Sequence, residues 1–380
     1  MQIELLSNDI DIKKYLQAIN VDEGGIAILS AKASYYTLYI RDLHVGAANI
    51  LKQDALSVGA DLAVPRGTVI AKTPNVDCIL IATARQLQAL SKKERAQPFG
   101  LKEVAYKFQE ILKVKKPLYA EVMGVINAND DSFFSASRFK DGGAIEAIEK
   151  MIEEGADIID IGGVSSAPNS AYVDKEEELI RVKPILDLIQ GKKLYDRVKF
   201  SIDSYEPSVI KYALDSGFRI VNDITGLADA EVSKLCVAYG ATAVIMHMQN
   251  TPLTMQDNPA YEHILGDIYS FFEQRVQEAE ALGVKDIVLD VGIGFGKTLE
   301  HNLMLIKHQE HFLTLDKPLL VGASRKSMID KISPSKPQER LGGTLALHLE
   351  SVKNGASIIR VHDVREHVQA LKVQQALKNI

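Results

Sequence analysis

The sequence predicts an α/β protein in which a (β/α)8 barrel, also called a TIM barrel, follows a small N-terminal α/β domain. The chain has 380 residues, too many for one ordinary domain but suited to a barrel of roughly 250 residues with a smaller domain attached. In the C-terminal two-thirds, short apolar runs rich in Val and Ile alternate with amphipathic helical stretches. This alternation is typical of a parallel sheet buried on both faces, and eight such units in a row favour a closed barrel over a doubly wound sheet.

The barrel is predicted to span residues 116–380. Its eight strands are predicted from the apolar runs, because each run is short and is followed by a helical pattern. The runs are Ala120–Ile126, Asp157–Ile161, Val198–Ile202, Ile220–Asp223, Ala243–Met246, Ile287–Leu289, Pro318–Val321 and Ser357–Val361.

Residues 1–115 are predicted to form the separate N-terminal domain. Apolar periodicity predicts two helices in it, and shorter apolar runs predict strands. The helices are Leu43–Val58 and Ala84–Lys93, and the strands are Gly25–Leu29, Tyr36–Ile40, Leu62–Val64, Thr68–Ile70 and Cys78–Ala82. This domain carries no recognisable chemical motif, so dimerisation, a lid and a scaffold all stay open as its role.

Composition excludes several classes of protein. The net charge of −6 argues against a general nucleic-acid binder, which needs an excess of Lys and Arg to meet phosphates. No run approaches the ~20 apolar residues of a membrane span, and Met1–Ile10 does not have the pattern of a signal peptide. The two cysteines, Cys78 and Cys236, lie far apart in apolar runs and are expected to be buried thiols. A cytoplasmic location is therefore expected.

The strongest functional signal is that almost every predicted barrel strand ends in a polar residue. In a barrel these ends meet at the C-terminal face, where the loops usually carry the chemistry. A single polar strand end is explained by a helix cap, whereas a converging set indicates a site. The set comprises Asn127, Asp160, Asp203, Asn222, Asp223, His247, Asp290, Ser324–Lys326, Arg360 and His362.

The chemistry of this set favours a ligand with several N–H groups. Asp203, Asn222 and Asp290 would ring the opening. A carboxylate accepts two N–H bonds side by side and an amide both donates and accepts, which suits an amino-pyrimidinone ring. The acids could instead bind a metal, but no tight ligand spacing supports an all-protein metal cage.

The last two strands indicate an anion site. Barrels often bind phosphate beside strands 7 and 8. Arg360 and His362 point the same way by strand alternation and could hold an anion. Alternatively, Arg325 and Lys326 are a solvated pair and His362 caps the next helix. The glycine-rich loop Asp290–Lys297 does not match a phosphate-binding P-loop, and its glycines favour close approach of a flat ligand to the backbone.

Together, these motifs resemble those of the dihydropteroate synthases, a family of pterin-binding barrels. The resemblance runs from about Leu118 to Ala376, and its most specific segments are Asp290–Asn302 and Gly322–Ser327. It implies a transferase reaction of folate biosynthesis. The amine of para-aminobenzoate attacks 6-hydroxymethyl-7,8-dihydropterin diphosphate, and pyrophosphate leaves.

The resemblance also implies roles for individual residues. Asp203, Asn222, Asp290 and Lys326 would hold the pterin. Asn127, Arg360 and His362 would meet the diphosphate, with Mg²⁺ bridging from Asn127. Lys326, Arg360 and His362 would act in catalysis, and the para-aminobenzoate site would be bordered by Phe133, Pro168, Lys326 and Ser327.

Several positions depart from the family pattern. Val164 and Ala167 stand where Glu and Arg are usual, and Asn129-Asp130 replaces Thr-Pro. Val291 and Gln249-Asn250 likewise replace the usual Pro and Arg-Gly. Two alternatives therefore stay open: a non-catalytic pterin-binding relative, and a methyltetrahydrofolate-binding methyltransferase domain. The second would not need Ser324-Arg325-Lys326 or the Arg360 and His362 pair. A homodimer is a further expectation, since such barrels often pair through their outer helices.

Overall fold

A computed structural model of the protein describes residues 1–7, 10–128, 143–164 and 173–378. The chain folds into two compact units, Met1–Val114 and Lys115–Ile380. Within the described ranges, no helix combines the length and apolar character needed to cross a membrane.

The N-terminal unit contains a three-stranded antiparallel sheet in the order β1-β3-β2. Burial alternates along β3, because successive side chains of a strand point to opposite faces, and the buried set packs with the helices in one core. The strands are β1 (Tyr35–His44), β2 (Asp61–Ala63) and β3 (Asn75–Thr83), and the helices are α1 (Ile12–Ala18), α2 (Glu23–Ala33), α3 (Val45–Ser57), α4 (Ala84–Lys93) and α5 (Leu101–Lys113).

Two of the predicted strands in this unit are wrong. Gly25–Leu29 lies inside helix α2, and Thr68–Ile70 forms a 3-10 turn between Gly67 and Ala71, both of which have positive φ angles. Periodicity alone does not distinguish a short apolar strand from a short stretch of helix. The two predicted helices and the other three strands are present, with ends shifted by no more than a few residues.

The C-terminal unit is a closed barrel of eight parallel strands, in the order β10-β11-β4-β5-β6-β7-β8-β9. The predicted (β/α)8 fold is confirmed, and each strand overlaps its predicted run. The strands are β4 (Glu121–Asn127), β5 (Ile158–Gly162), β6 (Lys199–Asp203), β7 (Ile220–Asp223), β8 (Thr242–Met246), β9 (Ile287–Asp290), β10 (Leu319–Val321) and β11 (Ile358–Val361).

Helices between the strands surround the sheet, as βαβ connections require. They are α6 (Gly143–Glu154), α7 (Lys175–Gly191), α8 (Pro207–Asp215), α9 (Ala230–Tyr239), α10 (Ile264–Ala281), α11 (Leu299–His308), α12 (Ser327–Ile332), α13 (Leu341–Lys353) and α14 (Val364–Lys378).

Apolar side chains fill the interior of the barrel, and the polar residues at the strand ends lie outside this apolar cluster. Seven of the strands contribute to one buried cluster, which consists of Met123, Ile158, Ile220, Val244, Val288, Leu320 and Ile358. Because all eight strands run in the same direction, their C-terminal residues share one mouth.

Candidate active site at the barrel mouth

The structure brings most of the predicted residues to the C-terminal end of the barrel. Asn127, Asp203 and Asp290 are the last residues of β4, β6 and β9. Asn222 and Arg360 each precede the last residue of their strands, β7 and β11. Lys326 and His362 follow β10 and β11 in the adjoining loops.

Arg360 joins two carboxylates across the barrel opening. Its Nε donates to Asp160 Oδ2 at 2.6 Å, and its second guanidinium nitrogen donates to Asp203 Oδ2, also at 2.6 Å. Asn222 Nδ2 donates to the same Asp160 oxygen at 3.2 Å. Four strands are thus linked by one hydrogen-bonded group, which we call the Arg360 network: Asp160, Asp203, Asn222 and Arg360.

The charges of the Arg360 network act on one another. Burial raises the pKa of Asp203, and the nearby Arg360 cation opposes that shift. Burial favours the neutral form of Arg360, but Asp160 and Asp203 outweigh this effect and raise its pKa. The other oxygen of Asp160, Oδ1, has no hydrogen-bond partner among the described residues although the side chain is fully buried. Solvent does not reach this oxygen, so its unmade hydrogen bond is an energetic cost of burying the carboxylate.

Lys326 lies over the loop that follows β9. Its ammonium group donates to the carbonyl oxygen of Ile293 and sits 4.3 Å from the centroid of the Phe295 ring. Burial lowers the pKa of Lys326 to about 8, although Asp290 opposes the shift. Burial raises the pKa of Asp290, which accepts a 2.8 Å hydrogen bond from the amide of Gly292. An acid and a cation therefore face the opening together.

The loops after β10 and β11 are tied to each other. Ser324 Oγ lies 2.9 Å from His362 Nδ1, and Arg325 makes a two-pronged ion pair with Asp363. Desolvation at the barrel mouth and the nearby Arg360 and Arg325 cations lower the pKa of His362 to about 4, although the residue is partly exposed to solvent. This imidazole is therefore neutral at pH 7 and can act as an N–H donor. Arg325 is therefore not a solvated partner of Lys326. Ser327, which follows, is exposed at the start of α12.

A buried lysine holds the glycine-rich loop after β9. Lys297 Nζ contacts the Phe295 carbonyl oxygen at 2.8 Å, His247 Nδ1 at 3.0 Å and the His247 carbonyl oxygen at 3.2 Å. Burial lowers the pKa of Lys297 to about 7 and that of His247 to about 3. Gly292, at φ +66°, passes so close that a Cβ atom there would lie 2.0 Å from the His247 carbonyl oxygen.

Some of the predicted positions lie outside the described residues. These are Phe133 and Pro168 of the para-aminobenzoate site, together with Ala167 and Asn129-Asp130 of the altered loops. Asn127 is described and is half-buried at the end of β4. In the described part of the chain, no three His, Cys, Asp or Glu side chains are grouped so that they could hold a metal ion.

A cavity of about 610 Å³ opens beside the Arg360 network, and its size suits a small ligand. Asp203 belongs to its lining, together with apolar side chains such as Ile224, Met248 and Phe271. Asn222, Asp290 and Lys326 do not line it. The cavity and the converging polar groups therefore lie in different parts of the mouth, and Asp203 belongs to both.

Several residues at or beneath the mouth carry no local sequence pattern that predicts their role. Asp160 is recognisable only as a polar strand end, yet it bonds both Asn222 and Arg360. Lys297 is recognisable only as part of a glycine-rich loop. His348 lies in the middle of α13 and His367 in the first turn of α14, where no local pattern distinguishes them from ordinary helix residues.

Comparison with known proteins identifies the barrel. A family model described as "Pterin binding enzyme" matches residues 123–362. The bifunctional dihydropteroate synthase/dihydropteroate reductase of Helicobacter pylori is 43% identical over 97% of this chain and 97% of its own length. The dihydropteroate synthase of Escherichia coli is 38% identical over 68% of this chain and 92% of its own. The solved structure of Xanthomonas albilineans dihydropteroate synthase with 4-aminobenzoic acid has a TM-score of 0.64, at 32% identity over 69% of this chain and 94% of that one.

Proposed function

The chain belongs to the dihydropteroate synthase family of pterin-binding enzymes, and we propose that its barrel mouth condenses 6-hydroxymethyl-7,8-dihydropterin diphosphate with para-aminobenzoate. The enzyme is a transferase of folate biosynthesis. Its products are 7,8-dihydropteroate and pyrophosphate. The observation that carries the proposal is the meeting of Asp203, Asn222, Asp290 and Lys326 at the ends of neighbouring strands and loops.

In this proposal the pterin ring is held by Asp203, Asn222, Asp290 and Lys326. The N–H groups of an amino-pyrimidinone need acceptors, which the two carboxylates supply, and the ring acceptors need donors, which the amide and the ammonium supply. Because these groups are already fixed by hydrogen bonds, little ordering is left to occur on binding.

The diphosphate is assigned to Arg360, His362 and Asn127. Arg360 offers a permanent positive charge, and His362 offers a neutral N–H donor. The amine nitrogen of para-aminobenzoate forms a bond to the exocyclic methylene carbon as the carbon–oxygen bond breaks. The electron pair leaves with the diphosphate, and the nitrogen loses its proton. Catalysis of this kind consists of positioning and stabilising the departing charge.

Mg²⁺ is proposed to bind with the diphosphate rather than in a protein cage. Described side chains offer no acidic cluster for an ion, and Mg²⁺ usually takes most of its oxygen ligands from water and substrate phosphates. The amide oxygen of Asn127 is the protein donor proposed for it. When bound, the ion would offset part of the negative charge on the leaving group.

The para-aminobenzoate site is proposed to include Ser327 and Lys326, with Phe133 and Pro168 from the loops outside the described residues. Ser327 is exposed at the start of α12, directly beside Lys326. The solved Xanthomonas relative, whose name includes 4-aminobenzoic acid, supports this class of second substrate.

Product analysis tests the function directly. Purified protein is incubated with the dihydropterin diphosphate, Mg²⁺ and para-aminobenzoate, and 7,8-dihydropteroate is measured by mass spectrometry. We expect product and pyrophosphate in equal amounts, both dependent on the amine. Tight pterin binding without turnover would instead indicate a non-catalytic relative. In a separate incubation, transfer of the methyl group from methyltetrahydrofolate to a supplied methyl acceptor would indicate the methyltransferase alternative.

A second candidate activity is a dihydropteroate reductase. The Helicobacter relative carries that activity in its name and matches 97% of this chain, so the match includes most of the N-terminal unit. The Escherichia synthase covers only 68% of this chain, a share close to that of the barrel. The test is to supply 7,8-dihydropteroate with a reduced nicotinamide or flavin and to measure loss of dihydropteroate. No consumption with either hydride donor would remove this candidate.

A cytoplasmic location and a homodimer are also proposed. Cys78 and Cys236 are buried and free, which suits a reducing compartment. The dimer is checked by light scattering after size-exclusion chromatography, which would give about twice the 41.8 kDa mass of one chain. A mass of one chain at working concentration would contradict it.

A further inference from the structure

Two fully buried histidines connect the backbone of the loop that carries Lys326, after β10, with that of the loop that carries His362, after β11. His348 on α13 and His367 on α14 are 0% and 1% exposed, and their ring centroids are 5.0 Å apart. The amide nitrogen of Ala323 donates to His348 Nε2 at 3.0 Å. His348 Nδ1 lies 2.9 Å from His367 Nε2, and His367 Nδ1 lies 2.6 Å from the carbonyl oxygen of Asp363.

The partners at the two ends determine the protonation of both rings. A backbone N–H only donates, so Nε2 of His348 must accept and its proton must sit on Nδ1. That proton is donated to Nε2 of His367, which leaves the proton of His367 on Nδ1. A carbonyl oxygen only accepts, and the proton on His367 Nδ1 satisfies it. All of these hydrogen bonds are therefore made at once when both imidazoles are neutral and carry their proton on Nδ1.

An added proton on either ring would break this arrangement. A cationic His348 would direct an N–H at the N–H of Ala323, and a cationic His367 would direct one at the N–H of His348. Burial lowers the pKa of both imidazoles. The neighbouring His367, Lys326 and His362 lower the pKa of His348 further. At His367, Asp363 and Glu366 act in the opposite direction and raise the pKa.

Helix α13 and the residue that precedes it, Arg340, hold the β10 loop at other points. Thr344, one turn before His348 on α13, accepts from the amide of Arg325 at 3.0 Å. Arg340 donates to the carbonyl oxygen of Arg325 at 2.9 Å. Arg325 has a φ of +56°, a conformation that surrounding contacts must maintain. Lys326 follows immediately, so its position depends on this bracing.

We propose, on the basis of the proposed function, that His348 and His367 are positioning residues of the transferase. Their neutral hydrogen-bonded chain, from the Ala323 amide to the Asp363 carbonyl, holds the β10 and β11 loops in register beneath the mouth. The loops are also joined above by Ser324 with His362 and by Arg325 with Asp363. Lys326 and Arg360 are thereby kept where the pterin and its leaving group meet.

The hydrogen-bond pattern is tested by NMR of the full chain labelled with 15N-histidine. His348→Phe and His367→Phe identify the two signals by their loss. We expect both imidazoles to be neutral and protonated at Nδ1 from pH 6 to pH 8, without change across that range. A cationic ring, or a proton on Nε2 of either ring, would overturn the proposal.

The positioning role is tested by kinetics with matched variants. His348→Phe keeps the ring shape but has no nitrogen atoms, and we expect kcat/KM for the dihydropterin diphosphate to fall at least ~10-fold. His348→Gln keeps an acceptor for Ala323 and a donor for His367, and should stay within ~3-fold of the wild type. Val352→Ala, a buried position on the same helix, should lower Tm without a comparable loss of rate.

Two kinetic results would contradict the positioning role. One is a His348→Phe enzyme that keeps its kcat/KM. The other is a loss of rate that simply follows Tm in all three variants. If the wild type makes no dihydropteroate, the proposed function fails instead. The NMR pattern then still tests the hydrogen-bond chain, and calorimetric binding of the dihydropterin diphosphate replaces the rates.

Discussion

At the scale of single residues, Lys326 links the two halves of the proposed chemistry. Its charge interacts with that of Asp290 and with those of Arg360 and Asp203 in the Arg360 network, and in the proposed function it also bonds the pterin. Its lowered pKa leaves the ammonium group charged at pH 7 but close to titration. A flexible cation at this point suits both a pterin acceptor and a negative leaving group.

The pKa of Lys326 predicts an alkaline limit to activity. Above about pH 8 the ammonium group loses its proton, so kcat/KM for the dihydropterin diphosphate should fall as pH rises through that value. Lys326→Ala should lose at least ~2 kcal/mol of transition-state stabilisation, about 30-fold in kcat/KM. The kcat/KM of this variant should not show the fall above pH 8. Steady-state rates between pH 6 and pH 10 measure both. A flat wild-type profile, or a near wild-type rate for the variant, would refute the assigned role.

Asp160 is expected to contribute to stability as well as to the site. Asp160→Asn removes one of the two carboxylates that offset the buried charge of Arg360, and should cost on the order of 1–3 kcal/mol of unfolding free energy. Asp187→Asn is the matched control, because Asp187 pairs with Lys183 at the surface, where both side chains are nearly half exposed, and should cost less than about 1 kcal/mol. Urea denaturation measures both variants. Equal losses would mean that Asp160 is not an essential partner of Arg360.

At the scale of elements, the loop after β9 depends on a glycine at position 292. Gly292→Ala would place a methyl group against the His247 carbonyl oxygen in a backbone conformation that L side chains rarely adopt. We expect the loop to move and pterin binding to weaken by at least ~10-fold, as measured by calorimetry. Gly191→Ala is the control, since a Cβ atom there meets nothing within 4 Å. Wild-type affinity in Gly292→Ala would show that the loop does not shape the site.

The elements also show which parts of the structure local sequence determines. The barrel strands are predictable to within one or two residues because each is a short apolar run, and in most of them a polar residue lies at or just beyond the C-terminal end. Asp203 and Asp290 are recognisable for the same reason. The strand predicted at Gly25–Leu29 is wrong because a short, largely apolar run fits a helix as well as a strand. The pairing of His348 with His367 depends on the packing of α13 against α14, which no local pattern reveals.

At the scale of the whole molecule, every residue assigned to the reaction lies in the C-terminal unit, Lys115–Ile380. The Escherichia synthase matches 68% of this chain, which is close to the share of that unit. A chain that begins at Lys115 is therefore expected to keep kcat/KM for synthesis within ~3-fold. Product formation by this shortened chain, with circular dichroism to verify folding, measures it. A folded but inactive barrel would mean that the N-terminal unit takes part in the transferase reaction.

In the proposed function the pterin binds where Asp203, Asn222, Asp290 and Lys326 converge, and a crystal structure with the dihydropterin diphosphate and Mg²⁺ would show its position. We predict a pterin ring in hydrogen-bond contact with these four side chains and a diphosphate beside Arg360 and His362. A pterin ring in the neighbouring 610 Å³ cavity, in contact with Asp203 but not with Asn222, Asp290 or Lys326, would contradict the account.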